Sequence, residues 1–231
     1  MLPIALTFWP FLETLLKNNR NKIISGTYNQ KDVYKINANI ISGSHAILVI
    51  ILGSLYLYTK SDITLMCMIV FSSIYFIYDS YSVWFLKIKE YYPYFFHHLA
   101  SVYFLQSLPK YIGEIGNTMI LGFVFLEISN LPSYYIYYFL KTNKEKNEVY
   151  YSKLTNLKLG QIGIYVLLRL IAFAFLFKTF YKHITHQPIL FSCIVGLYIM
   201  GIYWSYQLSL GYLKTKKEYN GMLKNETINV Q

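Results

Sequence analysis

Long apolar runs separated by short polar connections organise this chain. Six can be drawn, at about 37–58, 63–86, 92–108, 115–140, 159–181 and 188–212, each close to the ~20 residues that carry an α-helix across a bilayer core of ~30 Å. The run at 92–108 is the shortest and spans only if it stands nearly upright or sets its tyrosines in the interface. A further apolar stretch, "MLPIALTFWPFLETLL", opens the sequence and carries Glu13. With no basic leading segment and no small-residue cleavage site, it reads as an interfacial, re-entrant or extra membrane helix rather than a signal peptide. The pattern predicts an all-α fold, a multi-pass transmembrane helix bundle of six spans plus that N-terminal helix. It divides the chain into an N-terminal hydrophobic segment and basic connection (1–36), a transmembrane domain (37–213) and a tail (214–231).

Composition agrees, with 55% hydrophobic residues, 14% charged residues and a mean hydropathy of +0.34, which points away from a soluble enzyme. The net charge of +10 invites a nucleic-acid partner, but the distribution of the basic residues speaks against one. Segments 17–36, 87–91, 141–158 and 213–231 hold sixteen Lys and Arg, whereas 59–62, 109–114 and 178–187 hold four. That asymmetry puts the segment 17–36 and the C-terminal tail in the cytosol. The same lysines suit anionic headgroups or acidic substrates arriving from the cytosol. Cys67 and Cys193 both fall inside spans, which is neither a disulfide framework nor a zinc site.

The chemistry sits in the few polar residues that interrupt the spans. Ser42, His45, Asp79, His97, His98, Glu127, Ser129, Asn130, Arg169 and Gln207 all lie within apolar runs, where an ionisable group costs at least ~2.5–3.5 kcal/mol and needs a reason. Counted at ~1.5 Å per residue, they fall about 8–20 Å from the cytosolic ends of their helices. Helices running alternately up and down therefore deliver them to one half of the membrane. Ser42 with His45, and Glu127 with Asn130, are three apart and share a face. Gln161, Tyr165 and Arg169 form a stripe at four-residue steps, as do Tyr203 and Gln207. His97 and His98 diverge by about 100°, so one is expected to face the interior and the other outward. Pro132 frees the carbonyl of Ile128 and opens space beside Glu127. Arg169 is expected to pair with a carboxylate, Glu127 before Asp79 on depth. The H-x-x-H-H spacings of membrane diiron enzymes are absent, so no metal is expected.

Taken in order, "IISGSHAIL", "YFIYD", "FFHHLA", "FLEISNLPS", "LLRLIAF" and "YWSYQ" resemble the TLC family. This is the membrane-domain family of ceramide synthases, the translocating-chain-associated membrane protein and lipid-regulating TLC domain-containing proteins. The resemblance covers residues 37 to 213 and implies a helical domain of endoplasmic-reticulum-type membranes that handles lipid. His97 and His98 match the paired histidines that open the ceramide synthase motif. The next span, "GFVFLEISNLPS", lacks the His-Asp pair and further Asp of that motif and is closer to the non-synthase members.

The resemblance implies a cavity in the cytosolic half of the bilayer that binds, senses or processes a sphingolipid or phospholipid. His45, Asn130, Arg169, Tyr203 and Gln207 are the expected lipid-binding residues. The alternative is a ceramide synthase-like, acyl-CoA-dependent N- or O-acyltransferase. One of His97 or His98 would then act as general base, oriented by Glu127 or Asp79, with Arg169 balancing the carboxylates or holding a headgroup. No cofactor is implied, acyl-CoA being a cosubstrate in that case only. The partners implied are membrane lipids and not nucleic acid, with homo- or hetero-oligomers left open. A purely structural bundle is the third reading.

Overall fold

The computed structural model describes residues 2–19, 30–85, 91–111, 113–143 and 145–229. Among them every regular element is helical: α1 (Leu2–Asn18), α2 (Gln30–Thr59), α3 (Asp62–Phe85), α4 (Tyr91–Ser107), α5 (Glu114–Thr142), α6 (Glu148–Tyr165), α7 (Phe173–Ile184) and α8 (Pro188–Asn229). A single 3-10 turn, Leu108–Lys110, follows α4. A π-helical segment, Val166–Ala172, joins α6 to α7 without a break.

Among the described residues five helices are long and apolar enough to cross a membrane: Asp32–Thr59, Asp62–Ser82, Glu114–Thr142, Glu148–Ile184 and Pro188–Lys224. The expectation was six. The exception is α4, which has 17 residues and so rises only ~25 Å. Four of the spans overrun their expected ends, whereas Asp62–Ser82 stops short of the expected 86. Where a tail was expected from residue 214, α8 continues as helix to Asn229, because "LKTKKEYNGMLKN" contains no proline and its charges suit an exposed helix. Of the connections placed in the cytosol, 20–29 and 86–90 lie outside the described residues.

Helices α2 to α8 close a ring. Each packs on its neighbours in the order α4, α3, α2, α5, then the continuous α6–π–α7 rod, then α8, which returns to α4. Within lipid no hydrophobic force drives helices together, so close fit and interhelical hydrogen bonds must do it. Both are present. Gly53 of α2 sits against Val124 of α5, where a Cβ would collide with the valine side chain. Asn39 donates to the Tyr134 carbonyl at 2.7 Å, Gln106 to Ser73 at 3.0 Å, and Lys158 to Thr215 at 2.7 Å. The far half of the ring is filled by Met68, Leu105, Met119, Ile120, Phe180 and Leu190, all fully buried. Apolar residues such as Ile47, Ile51, Ile77, Leu99, Phe175 and Ile199 point outward, the surface a lipid solvent requires.

Helix α1 lies outside the ring, against α2 and α3. Phe8 meets Phe71, Trp9 meets Tyr75 and Glu13 accepts from the Tyr78 hydroxyl at 2.6 Å, so α1 runs parallel to α3. Lys17 lies over Tyr34 and Trp9 beside His45, so it is antiparallel to α2. Trp9 is fully buried and its indole N–H donates to the Phe71 carbonyl at 3.2 Å. A polar tip with a partner inside an apolar environment is the usual condition for burying tryptophan.

Candidate functional site

The ring brings together polar residues from α2, α3, α4, α5 and the π-helical segment. From α2, His45 is buried, its Nδ1 lies 4.0 Å from Glu127 Oε2, and its ring stacks on Tyr75 with centroids 3.8 Å apart. The indole of Trp9 meets both rings edge-on, 5.9 Å from the imidazole and 5.3 Å from Tyr75. His45 Nε2 is buried without a hydrogen-bond partner.

From α4, both histidines enter the bundle. His98 Nε2 lies 3.2 Å from Asp79 Oδ2 and its Nδ1 lies 3.0 Å from Ser80 Oγ. With both ring nitrogens engaged on α3, His98 keeps no lone pair for a substrate. His97 turns instead towards the centre, edge-on to Trp204 at 5.4 Å and to Phe76 at 6.0 Å. Its Nδ1 is buried and has no partner. The expected divergence of the two rings is present, but neither side chain leaves the bundle. A closed ring puts helix neighbours on both flanks of α4, α3 on one side and α8 on the other, so a turn of 100° leads from one interface to the next.

Arg169 comes from the middle of the π-helical segment and is buried. Such segments are rare and recur at functional sites. Its Nη1 donates to Asn130 Oδ1 at 2.8 Å, and its guanidinium lies between the rings of Tyr165 (5.0 Å) and Trp204 (5.6 Å). The expected direct pair with Glu127 is therefore corrected. Asn130 stands between them, bound to the arginine and within hydrogen-bonding reach of the Glu127 carboxylate one turn back on α5. Arg169 Nε remains buried and unpartnered. Gly201 lies against the arginine stem, 3.4 Å from its Cγ at the position a Cβ would take.

Around these groups is a narrow interior cavity walled by His97, Ser101, Glu127, Arg169, Phe173 and Leu197. Its free space is about 10 Å³, room for about one water. His97, Glu127 and Arg169 line it directly, and His45, Asp79, His98 and Asn130 buttress them from behind. Tyr203 and Gln207 do not belong to it. Both are exposed on α8, and that helix meets the arginine with Gly201 and the Trp204 ring. A four-residue polar spacing marks a shared face but not which way the face points. Among the described residues no three His, Cys, Asp or Glu form a metal-binding cluster.

Chemically, the cavity is lined by an imidazole with an open nitrogen, a guanidinium with an unpartnered N–H and a buried carboxyl. It defines the chain as a helical membrane bundle with a polar interior site. No protein-family model, curated protein or solved structure matches it.

Proposed function

We propose that this protein binds and senses or processes a membrane lipid at the His97–Glu127–Arg169 centre, with α4 standing as a sixth span in the ring. The observation that carries the reading is the pair of buried, unpartnered nitrogens on residues that line the cavity: His97 Nδ1 and Arg169 Nε. Each costs about 1–3 kcal/mol when left unmade, and a polar headgroup, carboxylate or ester entering the cavity would satisfy them. The free space is too small for an acyl chain, so the chain of such a lipid would lie between helices that part to admit it. The order and spacing of the polar motifs favour a TLC-type protein of the endoplasmic reticulum, working from the cytosolic leaflet.

In the second reading the centre is an acyltransferase. It is favoured by His97 alone, whose open nitrogen is placed to take a proton from an acceptor amine or hydroxyl. Mass spectrometry of lipid co-purified with the protein tests binding, and turnover of acyl-CoA by the same preparation tests catalysis. Wild-type protein is expected to carry a lipid that His97→Ala protein lacks. Recovery of the same lipids, in the same amounts, from both would refute the reading.

Topology follows from the same frame. With segment 17–36 and the end of α8 cytosolic, the parallel course of α1 and α3 places the start of α1 at the opposite face. A protease-accessible tag before residue 2 should be protected in sealed microsomes while a C-terminal tag is cut. Asn225, in the acceptor sequence "NET", should carry no glycan in a eukaryotic host. A glycan there would reverse the orientation.

A further inference from the structure

A second cavity lies away from the polar centre, on the outer surface between α6 and the part of α5 at Pro132. It is an open groove of about 720 Å³. Two residues leave it unfilled. Pro132 contributes only its ring, and Gly160 faces open space, since a Cβ there would meet nothing within 4 Å. Along α6 the charged and polar lining residues Glu148, Ser152, Lys153 and Asn156 come first, with the exposed Val149 among them, and Leu157, Gly160 and Ile164 follow. Gln161 closes its inner wall by donating to Ser133 at 2.8 Å, so the groove does not run into the cavity beside Arg169.

That order matches a phospholipid with an amino headgroup, read from its tip inward. We propose that the groove is a binding site for an ethanolamine phospholipid. The Glu148 carboxylate meets the headgroup ammonium, the Lys153 ammonium meets the phosphate, and Ser152 and Asn156 offer hydrogen bonds to the glycerol esters. One acyl chain then lies over Leu157, Gly160 and Ile164 beneath Pro132. The span Glu148–Ile184 begins at this groove, so its charged end stands at the headgroup level and its apolar end in the hydrocarbon. The opposite charges of Glu148 and Lys153 argue against a purely anionic lipid, which would face the carboxylate without compensation. The proposal goes beyond the polar-centre reading and does not depend on it, because no residue of one site lines the other.

The test uses full-length protein reconstituted in phosphatidylcholine nanodiscs containing phosphatidylethanolamine with a diazirine on its acyl chain. Photolabelling is mapped by peptide mass spectrometry, and an acyl-diazirine phosphatidylcholine serves as comparison. The ethanolamine probe should label the peptide 148–164 in preference to the choline probe. Gly160→Leu, which fills the groove and suits a helix better than glycine, should lose most of that labelling, and Glu148→Gln should lose the preference between probes. His97→Ala should label like wild type, which keeps this result separate from the fate of the polar centre. Equal labelling by both probes, or unchanged labelling of Gly160→Leu, would mean annular lipid only and overturn the proposal.

Discussion

Replacing Arg169 with leucine should lower the stability of the purified protein by about 3–5 kcal/mol, the cost of breaking a buried charge arrangement from one side. Three losses combine. Asn130 loses the donor that now sits 2.8 Å from its Oδ1, Tyr165 and Trp204 lose the cation against their rings, and Glu127 remains buried without the guanidinium beside Asn130. The third loss is the largest, because an uncompensated carboxylate in a low-dielectric interior has no solvent to turn to. Adding Glu127→Leu should therefore recover part of the stability. Thermal melts in one detergent, for the two single variants and the double, measure this coupling directly. A double variant no more stable than Arg169→Leu would show that arginine and glutamate do not depend on each other.

Much of this arrangement is legible in the sequence because membrane helices are constrained so strongly. Apolar length sets the spans, and a polar residue within one must have a place to go. That suffices to draw His45, Asp79, His98, Glu127, Asn130 and Arg169 to one depth. What the sequence leaves dark is rotation and closure. Arg169 sits in a π-helical segment, which no local residue pattern announces, although Gln161, Tyr165 and Arg169 are all buried, with the guanidinium over the Tyr165 ring. Tyr203 and Gln207 have the spacing of a site face, yet the ring turns Trp204 inward in their place. Trp9 was hidden for a different reason. A lone indole in "LTFWPFL" looks like interfacial anchoring, and only the docking of α1 on α2 and α3 makes it a wall of the His45 pocket. The short fourth helix shows the converse limit: α4 falls below spanning length by its residues and still completes the ring.

The two histidines of "FFHHLA" should now behave differently from each other. His98 is tied to Asp79 and Ser80, so His98→Ala leaves the Asp79 carboxylate without this partner and should reduce the amount of folded protein in the membrane. His97 faces the cavity with its Nδ1 unpartnered, so His97→Ala gives up little packing and no hydrogen bond at that nitrogen. The most direct test of the central claim measures membrane abundance and cellular lipid profile together for His97→Ala expressed in place of the wild-type protein. A normal abundance with the lipid profile of a deletion is the predicted result. A wild-type lipid profile at normal abundance would contradict it, and His97 would then be a packing residue and not part of a site.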